Sequence, residues 1–110
     1  MRLPNYENAY IPGPKLTEYL LLEKHEVGRA KAKYFRSLGY TEANINLLEY
    51  DILMIAKSYE FTQRFQTSFG VKYTVRGQLS SPNGSIARII TVWIIEPPDT
   101  RPRFVTAYPQ

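Results

Sequence analysis

The chain has 110 residues, 44% of them apolar, so one hydrophobic core and a single domain spanning 1–110 are expected. It has no cysteine and one histidine, which excludes disulfides and thiolate metal sites and leaves too few ligands for an ordinary zinc centre; no metal and no cofactor is expected. The net charge of +4 favours acidic partners, RNA among them, while Met1–Tyr6 lacks a signal-peptide core and the longest apolar runs are too short for a bilayer, so a cytoplasmic protein with no membrane partner is expected.

Residues 1–14 hold three of the eight prolines and read as an extended lead-in ending in the breaker Pro12-Gly13-Pro14. Pro14 suits the first turn of a helix over about 14–23, with Leu16, Tyr19 and Leu20 on one face. A second helix is predicted over about 26–38, with Val27, Ala30, Tyr34 and Leu38 as its apolar face and Phe35 beside it. Gly39 fits its C-cap, and Thr41 fits the N-cap of a third helix over about 42–57. There Ile45, Leu48, Ile52 and Ile55 recur at helical spacing, with Leu47 and Met54 alongside.

Beyond Tyr59 the period changes. Residues 60–68 are polar and fit either a strand or a loop. A strand over about 69–80 alternates Val71, Tyr73 and Val75 against Lys72, Thr74 and Arg76. Ser81-Pro82-Asn83-Gly84 is a turn, and a strand over about 85–96 follows, apolar on both faces at its centre. A proline-rich turn leads to a last strand over about 102–108. Helices first and an antiparallel meander after them give an α+β fold.

Four groups of residues can carry chemistry, and each also fits an ordinary role. His25, Arg29, Lys33 and Arg36 line one side of the second helix; such a stripe matches phosphates, or is simply a solvated face. His25 titrates near neutrality and suits acid or base work in phosphodiester cleavage, or caps a helix. Thr106 and Tyr108, two apart in the last strand with Phe104 on the same face, offer hydroxyls to a phosphate, although both residues simply favour strands. Lys72, Arg76 and Arg88 on the sheet's polar face suit RNA, or water.

The run from Lys15 through His25 and Gly28-Arg29-Ala30-Lys31-Ala32-Lys33-Tyr34-Phe35 to Leu38-Gly39-Tyr40, with Pro82-Asn83-Gly84, Thr91-Val92-Trp93 and Val105-Thr106-Ala107-Tyr108-Pro109, resembles a bacterial domain family of unknown function. Members of that family occur free-standing and as C-terminal modules of toxin-like proteins. The helices-then-sheet order and the terminal Thr-x-Tyr are also similar to the barnase, EndoU, colicin and RelE type of ribonuclease fold. The resemblance implies weight on His25, Arg29, Lys31, Thr106 and Tyr108 as catalytic candidates of a metal-independent RNase-like domain, with Lys33, Arg36, Lys72, Arg76 and Arg88 as phosphate or RNA contacts. Lys33 fits the cationic stripe and Lys31 the resemblance, since Arg29 and Lys31 point about 200° apart on a regular helix. The alternative is a non-enzymatic module, accessory or immunity-like, that binds a cognate protein through sheet aromatics such as Trp93. The enzyme requires His25 to meet Thr106 or Tyr108; the module requires an exposed apolar patch.

Overall fold

The computed structural model describes residues 1–16 and 29–110. The predicted first helix, from Thr17 on, and His25 lie outside these residues. Helix α1 (Arg29–Ser37) is followed by a 3₁₀ turn (Glu42–Asn44), α2 (Ile45–Ser58), and strands β1 (Phe61–Gln66), β2 (Val71–Ser80), β3 (Ile86–Ile95) and β4 (Arg103–Pro109). The strands form one antiparallel sheet in chain order. The expected α+β arrangement is present, and the polar stretch after Tyr59 supplies a fourth strand.

Helix α2 presses Leu48, Ile52, Ile55 and Ala56 into the core, while Leu47 and Met54 stay more than a third exposed. Thr41 starts this segment as expected: its Oγ1 accepts from the Ala43 N–H, and the Asn44 side chain accepts from the Thr41 N–H at 2.7 Å. Gly77 lets the helix approach β2 closely, since a Cβ there would stand 2.8 Å from both Ile55 Cγ2 and the Tyr59 ring. Tyr73, Val75 and Leu79 of β2 meet Ala87, Ile89 and Trp93 of β3 on the same buried face. Trp93 is fully buried, in edge-to-face contact with Phe104, and its Nε1–H donates to Thr91 Oγ1 at 2.8 Å. Thr91 Oγ1 in turn donates to the Val75 carbonyl at 2.9 Å. Trp93 is therefore a core residue, and the expectation that it anchors a partner on the sheet surface is corrected.

Two local devices place the segments that matter for function. The turn after β2 closes the end of α1. Gly39 turns with φ 100°, and Asn83 donates its N–H to the Leu38 carbonyl (3.0 Å) and its Nδ2 to the Ser37 carbonyl (2.9 Å). The second device is a bulge in β4. Trp93 pairs with Phe104 but Val92 pairs with Thr106, leaving Val105 extra. Phe104 and Ala107 are buried, whereas Thr106 and Tyr108 pair with Val92 and Ile90 on the opposite face. Phe104 thus does not share a face with Thr106 and Tyr108 as simple alternation predicts; the extra residue reverses the parity of the strand. Outside β4, Tyr10 adds a short parallel bridge, donating to the Pro102 carbonyl and accepting from the Phe104 N–H, which covers part of an otherwise open edge.

Candidate functional site

Ala32 and Phe35 of α1, and Leu38 just past its end, are buried, while Ala30 is exposed. The apolar face therefore centres on Phe35: of the predicted line, Leu38 is buried and Tyr34 packs against the core, Ala30 is exposed, and Val27 lies outside the described residues. At about 100° per residue, Lys31 falls within about 60° of both Phe35 and Leu38. A lysine on the core-facing arc must carry its ammonium out along its stem to a polar partner. Lys31 does so toward β4, against which α1 packs. Its Nζ donates to Thr106 Oγ1 at 3.0 Å and stands 5.9 Å from the centroid of the Tyr108 ring, within cation–π range. A residue near the start of the described helix thus meets two residues from the last strand.

Further cations stand close by. The ammonium of Lys15 is held below its ordinary pKa, first by burial and then by the positive charges of Arg103 and Lys31. Arg103 opens β4 and is itself anchored, its Nε donating to Glu96 Oε1 at 3.0 Å and a second guanidinium nitrogen reaching the same oxygen. Lys31 thus stands against one threonine and one tyrosine, with the charges of Lys15 and the Glu96-paired Arg103 within electrostatic reach. A dianionic or monoanionic oxygen group placed there would relieve the repulsion that Lys15 registers.

The family profile for "Domain of unknown function (DUF6883)" matches residues 2–110. The chain belongs to the DUF6883 family. Its fold is similar to a solved chain of a contact-dependent growth inhibition toxin–immunity protein complex from Klebsiella pneumoniae 342, with a TM-score of 0.75 and 16% sequence identity over 96% of this chain and 97% of that one. No match was found among curated proteins.

In this DUF6883 chain the sequence-predicted residues sort into four groups. Lys31, Thr106 and Tyr108 come together. His25 lies outside the described residues, as does the side chain of Arg29. Lys33 and Arg36 turn away from the Lys31 arc: Lys33 is exposed, and Arg36 forms an ion pair with Glu42 that holds the Glu42 carboxyl below its usual range. Lys33 and Arg36, the two described side chains of the predicted stripe, are thus not on the side of α1 that faces Thr106. Lys72, Arg76 and Arg88 lie on the sheet face away from the core, but Thr74 between the first two is only 8% exposed. The polar face is accordingly closed near Lys72 and open from Arg76 toward the turn at Ser81.

Lys15 and Arg103 are members of the cationic cluster that spacing did not single out. Arg103 stands in the same strand as Thr106 and Tyr108, but only the bulge reveals how that strand is disposed. Lys31 had a usable signal: a lysine at i−4 and i−7 from Phe35 and Leu38 sits among apolar residues, where a cation needs a reason. Among the described residues, no group of three or more His, Cys, Asp or Glu side chains is placed to hold a metal ion, and no helix is long and apolar enough to cross a membrane.

Proposed function

We propose that this DUF6883 chain is a toxin-related, ribonuclease-like domain that cleaves RNA without a metal ion. The observation that carries this reading is the meeting of Lys31 with Thr106 and Tyr108, three of the five candidates drawn from distant parts of the chain. The fold shared with a chain of a toxin–immunity complex supports it. In the proposed reaction the 2′-hydroxyl loses a proton and its oxygen bonds to phosphorus. The P–O5′ bond breaks, and a proton passes to the leaving 5′-oxygen. Lys31, with Lys15 and Arg103 behind it, offsets charge building on the non-bridging oxygens. Thr106 holds the Lys31 ammonium in place and Tyr108 orients the substrate. His25, the one side chain with an ordinary pKa near neutrality, is assigned proton transfer.

The test is cleavage of total RNA in EDTA by the parent, His25→Ala and Lys31→Met proteins. Cleavage by the parent, lost in both variants, supports the assignment. Cleavage that survives in Lys31→Met overturns the role of Lys31, and cleavage abolished by EDTA overturns the metal-free reading.

A second reading has its own observation. Leu47, Tyr50 and Met54 are all exposed at helical spacing on α2, an apolar strip suited to a protein partner. An immunity-like module binding a cognate protein through α2 would show no cleavage in that assay, and would lose its partner when Tyr50 and Met54 are changed to Glu.

A further inference from the structure

Resting on the ribonuclease reading, we infer that Arg76 and Arg88 form a separate phosphate subsite for the same RNA strand. The two arginines flank a surface pocket of about 220 Å³ whose remaining walls are Gly77, Gln78 and Gln110. Sheet register explains why they converge. Arg88 pairs with Gln78 and Ile90 pairs with Arg76, so the two guanidinium groups are diagonal neighbours on the exposed face. No carboxylate side chain lines the pocket, and among the described residues neither arginine has an acidic partner. Among the other described arginines, Arg36, Arg101 and Arg103 each hold a Glu or Asp, while Arg2 and Arg64 lie over the rings of Tyr6 and Tyr73. Two forks without an acidic side-chain partner among the described residues, beside one concavity, suit the paired oxygens of a phosphodiester, with two glutamine amides at hand for sugar or base edges.

The same register ties the pocket to the Lys31 site. Arg76, Ile90 and Tyr108 form one cross-strand row over β2, β3 and β4. Two strand spacings separate the backbone of Arg76 from that of Tyr108, about 10 Å. That is the rise of roughly three stacked nucleotides. A single strand lying across β3 over the half-buried Ile90 would therefore engage both sites at once. Lys72, another cationic residue of this face, lies beyond the buried Thr74 and is left out of the track.

The experiment is fluorescence anisotropy with a 5′-labelled, randomised octanucleotide pool carrying 2′-O-methyl groups, which cannot be cleaved through the 2′-oxygen. Affinity is measured over a salt series for the parent, Arg76→Gln/Arg88→Gln, Arg76→Lys/Arg88→Lys and Lys31→Met, with thermal melts of each. Loss of two phosphate contacts should lower the slope of log K against log salt by about 1.4 in the double glutamine variant, at about 0.7 per contact for a single strand. The double lysine variant should recover most of that slope. A parent-like slope in the double glutamine variant, with a reduced slope in Lys31→Met, overturns the subsite and leaves the ribonuclease reading standing. A reduced slope in the double glutamine variant of a protein that cleaves no RNA keeps the subsite and overturns the ribonuclease reading. Failure of the parent to bind the pool overturns both and turns the pocket over to an acidic protein surface.

Discussion

On the proposed ribonuclease reading, replacing Lys31 with Met separates catalysis from folding. Methionine keeps the unbranched stem that lies beside Phe35 and Leu38 and removes only the charge. The folded state loses the charged hydrogen bond to Thr106 Oγ1, part-buried at 3.0 Å and worth about 1.5 kcal/mol, and the cation–π contact with Tyr108, about 0.5 kcal/mol. It also sheds the repulsion between Lys31 and Lys15, which returns part of that loss. The net change is about 1 kcal/mol or less, a fall in Tm of about 4 °C for a chain of this size. In the proposed reaction the transition state would lose far more, because its charge would develop beside the ammonium; removing one such group typically lowers the rate by about 10²–10³. Initial rates on a short oligoribonucleotide in EDTA, beside thermal melts, measure both quantities. In the same variant the Lys15 side chain should titrate at higher pH, readable from its 13Cε shift. Activity that falls only in proportion to the folded fraction, or a Lys15 titration that does not move, would refute the reasoning.

Other outcomes follow from the scaffold. Thr91→Val leaves the Trp93 Nε1–H and one acceptor position of the Val75 carbonyl without their buried partner, at a cost of about 2–4 kcal/mol in urea denaturation, whereas Thr91→Ser keeps both bonds and should lose less than half as much. Asn83→Ala removes the side-chain cap on the Ser37 carbonyl and also the acceptor that Asn83 Oδ1 offers to Ser81 Oγ, Ser85 Oγ and the Ser85 N–H; a loss of about 1–3 kcal/mol is expected, accompanied by faster amide exchange in the last turn of α1. Tyr40 is buried and donates to Asp51 Oδ2 at 2.5 Å, so burial first, and the carboxylate second, push its phenol above the ordinary 10.0. A folded pKa above the unfolded one gives stability that is complete below pH 10 and declines above it, by up to about 1.4 kcal/mol per pH unit for one proton. Stability profiles from pH 9 to 11.5 should therefore fall more steeply in the parent than in Tyr40→Phe; parallel profiles would contradict the linkage.

Periodicity reached the parts of the fold where one face meets the core and the other meets water. Leu48, Ile52 and Ile55 mark α2, and Val71, Tyr73 and Val75 mark β2. It stopped short at Phe61–Gln66, an edge strand exposed along nearly its whole length, whose pairing to β2 rests on backbone bonds that leave no apolar alternation. In α1 two alanines, Ala30 and Ala32, compete for the apolar face, and their equal side chains carry no signal; the packing of Phe35 decides between them. The catalytic candidates behaved unevenly for related reasons. Regular spacing drew attention to the stripe through Arg29, Lys33 and Arg36, although evenly spaced surface cations also arise wherever a helix face is wet, and Arg36 proves to serve Glu42. The family resemblance put weight on Lys31 as well as on His25 and Arg29, and Lys31 reaches Thr106.

The bulge at Val105 has a bearing on how relatives of this chain should be compared. At 16% identity a sequence alignment of two such chains is anchored by short motifs, and Thr-x-Tyr invites use as one. Removing Val105 would leave every cross-strand partner of β4 in place, Phe104 opposite Trp93 and Thr106 opposite Val92, and change only the local twist. A one-residue gap between the buried phenylalanine and the threonine is thus a natural evolutionary variable. Homologues with Phe-Thr-x-Tyr and with Phe-x-Thr-x-Tyr would occupy equivalent positions, and gap penalties that forbid breaks inside strands would misplace the very residues that face Lys31.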